Sequence, residues 1–118
     1  MKLHQSGENY LETIYLLQKQ SECVRAIDVA TELSFSRASV SRALSLLKNK
    51  GYIDIKNNQI TLTKQGQEKA ESIYARHVHI TNFLVESLGI DRHTAEKDAC
   101  RIEHIISEKT FNLIKEKY

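Results

Sequence analysis

The sequence predicts a mainly α-helical protein with one small β-hairpin, divided into two parts at residues 1–63 and 64–118. Three observations predict it. Apolar residues recur three and four positions apart along most of the chain, which is the spacing of a helix face. After Gly51 the pattern changes to alternation: Tyr52-Ile53-Asp54-Ile55 and Gln59-Ile60-Thr61-Leu62 flank a Lys56-Asn57-Asn58 turn cluster, the mark of a short hairpin. Proline is absent and glycine occurs four times, so the few glycines divide the chain.

The elements follow in order. Tyr10, Ile14 and Leu17, with Leu11, Tyr15 and Leu16, set a first helix over about Ser6 to Lys19, with Ser6 as its N-cap. Cys23–Arg25 is a connector. Ala26 to Leu33 is a short second helix with Ile27, Ala30 and Leu33 facing inward. Ser34-Phe35-Ser36 makes a tight turn, and Ser36 caps a third helix running to about Lys50, whose buried stripe is Val40, Ala43, Leu44 and Leu47. Past the hairpin, Thr63 caps a long helix carrying Ala70, Ile73, Tyr74, His77, Ile80, Phe83 and Leu84, which stops at Gly89. Asp91 caps a further helix over about Arg92 to Ile106. Ser107 starts a last one, with Phe111, Leu113 and Ile114 available for burial.

Composition excludes several classes. At 118 residues, 41% hydrophobic and 27% charged, the chain is ordinarily globular, with room for one compact domain or a small domain with a helical extension. No apolar run approaches the roughly 18–20 residues of a membrane span. The polar N-terminus does not read as a signal peptide. Cys23 and Cys100 make no disulfide framework, so a cytoplasmic location and no membrane partner are expected.

Charge is unevenly placed. The net charge is only +2, yet from Ser34 to Lys64 Arg37, Arg42, Lys48, Lys50, Lys56 and Lys64 stand against Asp54 alone. From Glu71 to Tyr118 seven basic residues meet eight acidic ones, and His77, His79, His93 and His104 all lie there. The basic middle suits phosphates. Two short helices, a tight turn and a hairpin are the order of a winged helix-turn-helix, so the first part reads as three helices plus a wing. The start of its third helix carries Ser36, Arg37, Ala38, Ser39, Ser41 and Arg42, the candidate contacts to double-stranded DNA; in a protein-binding winged helix they are exposed helix residues instead. Hydroxyls and arginines at a helix N-terminus suit phosphates and base edges in a major groove. Arg42 is the candidate for bidentate pairing to guanine, the serines for phosphate contacts, and Arg37 for either. The wing offers Lys56, Asn57, Asn58 and Gln59.

The second part carries different chemistry. Cys100, Glu103 and His104 stand at i, i+3 and i+4, on one face of the expected helix, with Glu96 a turn earlier. Thiolate, carboxylate and imidazole together make most of a transition-metal site. A solvent-exposed polar stripe with Cys100 as a small core residue is the alternative from spacing alone. Further candidates lie on other helices: Asn9 and Glu12 one turn apart on the first, with Glu8 beside them, and His77 on the long one. His79, His93 and His4 read as surface residues or as part of the N-terminus.

The fragments GENYLETIY, VRAIDVA, SFSRASVSRALSLLKNKGYI, ITLTKQG, IYARH and DACRIEHIIS resemble the diphtheria-toxin-repressor/manganese-transport-regulator family of metal-dependent transcriptional repressors, over about Ser6 to Ile106. The resemblance implies a winged helix-turn-helix followed by a helical metal-binding and dimerisation domain, in the short form without the SH3-like domain of longer relatives. By resemblance, Cys100, Glu103 and His104 fall on the primary ligand triad of the iron-responsive branch. Glu12 matches a carboxylate ligand of the manganese branch, and His77 a histidine used in both. Asn9 stands where the iron branch has methionine and the manganese branch aspartate. Glu96 stands where the iron branch has an ancillary histidine, and Thr81 replaces an ancillary carboxylate.

A thiolate favours iron, cobalt, nickel or zinc over manganese. Fe²⁺ is therefore the expected effector and Mn²⁺ the second, with Co²⁺, Ni²⁺ or Zn²⁺ binding in vitro. The expected function is a homodimeric, metal-activated repressor of metal-homeostasis genes, without a small-molecule substrate and not an enzyme. In it the metal ties the first helix to the second part and fixes two recognition helices at half-site spacing. Ile105, Ile106, Phe111 and Ile114 are available to the dimer surface or the core. Two rivals use the same residues. A thiol-based redox regulator would sense through Cys100 or Cys23, and a small metalloenzyme would activate water at an open Cys/Glu/His site.

Overall fold

The computed structural model describes residues 5–118. Its elements are α1 (Gln5–Gln20), α2 (Ala26–Leu33), α3 (Arg37–Asn49), β1 (Ile53–Lys56), β2 (Gln59–Leu62), α4 (Lys64–Leu88), α5 (Arg92–Ile102) and α6 (Glu108–Lys117). The fold is mainly α with one antiparallel hairpin, as the sequence predicts. Contacts separate two compact units, up to Glu71 and from Ser72 onward, and the division falls inside α4.

In the first unit, α1 buries Tyr10, Leu11, Ile14 and Tyr15. Ser6 does not cap it, because the helical backbone already begins at Gln5. Arg25, in extended conformation, starts α2, and its amide donates to Asp28 Oδ2 at 2.8 Å. The inward stripe of α2 runs through Val29, Ala30 and half-buried Leu33. Ile27 lies off that stripe and is 47% exposed, contrary to the sequence expectation. Ser34 closes α2 in the left-handed region (φ 57°), and the Phe35 amide donates back to Ala30 O at 3.1 Å. Ser36 caps α3 as expected, its Oγ accepting from the Ser39 amide at 3.2 Å, and Val40, Leu44 and Leu47 are buried.

The hairpin pairs Ile53 with Leu62, Ile55 with Ile60 and Lys56 with Gln59. Asn57 and Asn58 both have positive φ (50° and 64°), the two-residue turn that matches strand twist, and asparagine tolerates that region. The connector before α2 also joins the wing: the Ile60 amide donates to Val24 O at 2.8 Å, and Gln59 Nε2 to Glu22 O at 3.2 Å. At the start of α4, Thr63 Oγ1 accepts from the Gly66 amide at 3.0 Å and donates to Gly51 O at 2.6 Å. A Cβ on Gly66 would stand 1.9 Å from Tyr52 O, so only glycine lets α4 seat against the end of α3 and the wing.

The second unit packs the rest of α4 with α5 and α6. Ile80 and Leu84 meet Ala95 and Ala99, with Phe83, Ile90, Ile102, Ile106 and Phe111 around them. Asp91 caps α5 through the Thr94 amide (2.9 Å) and Ser107 caps α6 through the Thr110 amide (3.1 Å), both as the sequence predicts. The expected run of α5 to Ile106 is not found. The helix ends at Ile102, Glu103 is its C-cap, and the amides of His104 and Ile105 bond three residues back. Two contacts beyond α5 account for this: Ser107 needs an extended backbone to cap α6, and Arg76 Nη1 takes the Glu103 carbonyl at 3.1 Å. On α6, Ile114 is buried, whereas Leu113 is exposed, as is Ile105 before the helix. Among the described residues no helix is long and apolar enough to cross a membrane.

Candidate functional site

The tightened end of α5 gathers the candidate ligands. One donor atom each from Cys100, Glu103 and His104 lies within 4.8 Å of the others. Regular helical spacing predicts this trio on one face. The structure brings it together differently, with Cys100 in the last turn of α5, Glu103 at the cap and His104 in the turn beyond. Glu103 is fully buried. Its Oε2 lies 3.1 Å from His77 Nδ1, and its Oε1 lies 3.3 Å from His104 Nε2. Oε1 makes no hydrogen bond among the described residues. His77 comes from α4 and is steadied by Tyr74, whose ring stacks at 6.2 Å and 20°. Cys100 is exposed, and both cysteines are free thiols.

A carboxylate in this position is costly to bury unless a charge or hydrogen-bond donors meet both oxygens. Sulfur, carboxylate oxygen and imidazole are donors a divalent transition metal takes, and Cys100, Glu103 and His104 bring one of each together, with Glu103 Oε1 left without a hydrogen bond among the described residues. The residues present therefore fit a metal ion.

The other candidates are placed as follows. Glu96 is exposed on α5 and is not part of the Cys100–Glu103–His104 cluster. Thr81 is buried, and its hydroxyl makes no hydrogen bond among the described residues. On α1, Glu8 and Glu12 are buried and Asn9 half-buried; Glu8 lies 3.6 Å from Lys69 Nζ, and the Asn9 carbonyl accepts from Thr13 Oγ1 at 2.8 Å. His79 is half-buried rather than fully on the surface, and packs edge-on against Phe111, ring centroids 6.0 Å apart. His93 is exposed, as expected. His4 lies outside the described residues.

On α3, Ser36, Arg37, Ala38, Ser41 and Arg42 are exposed. Ser39 is half-buried and takes part in the cap, with Ser36 Oγ donating to its hydroxyl at 3.0 Å. Between α3 and the wing runs a groove lined by Arg25, Arg37, Ser41, Ser45 and Asn58 over an apolar floor that includes Ile55. Arg25 and Ser45 are absent from the sequence expectation. Arg25 reads as connector until the Val24–Ile60 bridge places it beside the wing, and no sequence signal announces that pairing.

Residues 2–59 match the N-terminal DNA-binding domain of iron-dependent repressors, and residues 63–118 match the metal-binding and dimerisation domain of the same repressors. The chain belongs to the iron-dependent repressor family. Among the relatives of this repressor chain is an uncharacterized HTH-type transcriptional regulator of Methanocaldococcus jannaschii, 36% identical over 115 residues, which cover 96% of this chain and 92% of that one. The transcriptional regulator MntR of Escherichia coli is 32% identical over 89% of this chain and 68% of its own length. The diphtheria toxin repressor of Corynebacterium glutamicum is 26% identical over 86% of this chain. A solved manganese-dependent transcriptional repressor in complex with manganese superposes with a TM-score of 0.87 and 26% identity, over 94% of this chain and 51% of that one. The chain thus spans about half the length of the diphtheria toxin repressor (45%) and of the manganese-dependent repressor (51%). The family consists of metal-dependent transcriptional repressors, not enzymes.

Proposed function

We propose that this chain is a metal-activated repressor that binds operator DNA as a homodimer in the cytoplasm, with Fe²⁺ as its effector and Mn²⁺ second, and that it controls metal-homeostasis genes. The observation that carries the reading is Glu103: a fully buried carboxylate with one unsatisfied oxygen, beside Cys100, His104 and His77. A bound cation places positive charge beside the buried carboxylate and joins ligands from separate helices. Cys100, Glu103, His104 and His77 are the ligands favoured by this geometry, and Glu12 and Asn9 on α1 are added on the family resemblance, with Glu96 as an ancillary ligand. The thiolate of Cys100 favours Fe²⁺ over Mn²⁺, and Co²⁺, Ni²⁺ and Zn²⁺ bind in vitro.

Residues 1–63 form the DNA-reading part and 64–118 the metal-binding and dimerising part. Arg37 and Arg42 read or grip the duplex, Ser36, Ala38, Ser39 and Ser41 pack against its backbone, and Lys56 and Asn58 reach it from the wing. No observation among the described residues favours a redox role for Cys100 or Cys23.

The test is fluorescence anisotropy on a labelled duplex selected from random-sequence DNA by the metal-loaded protein. Fe²⁺ is titrated anaerobically and Mn²⁺ in parallel, each with a chelator control. Either cation should tighten binding at least tenfold, about 1.4 kcal/mol, and Fe²⁺ at the lower concentration. Equal DNA affinity with and without cation overturns the proposal.

A further inference from the structure

Arg76 stands next to His77 on α4 and is half-buried. Its guanidinium makes three contacts. Nη1 donates to the main-chain carbonyl of Glu103 at 3.1 Å. Nη2 lies 3.9 Å from Glu108 Oε1 in the first turn of α6. Cζ lies 5.8 Å from the ring centroid of Phe111, also on α6, within cation–π range.

These contacts are not equal. Glu108 is 87% exposed, so that ion pair is screened and weak. The bond to Glu103 is charge-assisted, and among the described residues no main-chain amide competes for that carbonyl. The carbonyl belongs to the peptide that joins Glu103 to His104. Holding it limits rotation about the two backbone bonds that aim both side chains. Phe111 is gripped a second time by His79, one turn along α4 from Arg76.

We propose that Arg76 is a positioning residue of the metal centre: it fixes the Glu103–His104 turn so that both side chains reach one point, and through Phe111 it couples cation binding to the seating of α6. The inference rests on the metal-centre reading given above. Partners that orient metal ligands from outside the coordination sphere are typically worth about ten- to a hundredfold in metal affinity. Coupling is reciprocal, so loosening α6 at Phe111 also weakens the cation.

The experiment titrates Co²⁺ anaerobically into the full chain as wild type, Arg76→Gln, Arg76→Lys and Phe111→Leu. It follows the ligand-field bands and the thiolate-to-cobalt charge-transfer band, and melts each metal-free protein by circular dichroism. Arg76→Gln should lose about ten- to a hundredfold in Co²⁺ affinity and shift the ligand-field bands, with little change in metal-free melting. Arg76→Lys keeps a cationic donor for the Glu103 carbonyl and should restore much of the loss. Phe111→Leu should weaken Co²⁺ several-fold although it carries no ligand.

Wild-type affinity and spectrum in Arg76→Gln overturn the proposal, as does a lysine variant no better than glutamine. Should Arg76→Gln fail to fold, Arg76→Lys and Phe111→Leu carry the test. Wild-type affinity in Phe111→Leu removes the coupling to α6. A wild-type chain that binds no Co²⁺ is a different result, because it removes the metal centre itself.

Discussion

At the scale of single residues, two positions have no substitute. Gly66 faces Tyr52 O with no room for a Cβ, so Gly66→Ala must push α4 off the start of the wing. A loss of about 1–3 kcal/mol is expected, the usual cost of overpacking, read from urea unfolding at neutral pH. Glu103→Gln keeps the shape and one acceptor but removes the charge that two imidazoles face. It should weaken Fe²⁺ or Co²⁺ at least tenfold, about 1.4 kcal/mol, by equilibrium titration; undiminished affinity would place the cation elsewhere. The sequence singles out Cys100, Glu103 and His104 because i, i+3 and i+4 spacing puts sulfur, carboxylate and imidazole on one helix face, and His77 through the family resemblance. It is silent on Arg76, because its main bond is to a carbonyl, and any residue type could supply that carbonyl.

At the scale of elements, the helix starts were the most legible feature. Ser36, Thr63, Asp91 and Ser107 each have a side-chain oxygen that accepts a first-turn amide, a bond the residue type itself announces. Ends were less legible. The carboxyl end of α5 depends on Arg76 from another helix and on the cap of α6, neither of which is local. Ile27 misled for a related reason: a two-turn helix has too few residues to define its inward face without its neighbours. The cap of α5 also makes a pH prediction. The Thr94 amide, and then the Thr94 side chain, hold the Asp91 carboxyl below its usual 3.8. A depressed carboxyl stabilises the fold above its unfolded value and loses that contribution as pH falls through the folded one. The stability gap between wild type and Asp91→Ala should therefore be constant near neutrality and shrink below about pH 3.8, measured by urea unfolding across that range.

At the scale of the whole molecule, the sequence divides into a basic stretch and a nearly neutral one rich in histidine, and that division carries the proposed division of labour. If the basic stretch meets DNA, affinity falls as salt rises. Arg42→Ala should cost about 1–3 kcal/mol on the selected duplex and little on random DNA, whereas Lys56→Ala should lower the salt slope by about one unit on both. Anisotropy over a salt series separates the two, and a uniform loss for Arg42→Ala would reassign it to phosphate contact. The buried Glu103 has one more consequence. On the proposed reading, metal-starved chains keep a buried carboxylate with the His77 and His104 rings beside it, while a cation at a hundred times its dissociation constant adds about 2.7 kcal/mol to stability. That lowers the transiently opened fraction about a hundredfold, and opened chains are what cellular proteases cut. Starvation would then do more than silence the protein: it would shorten its lifetime, and recovery would wait on new synthesis as well as on metal.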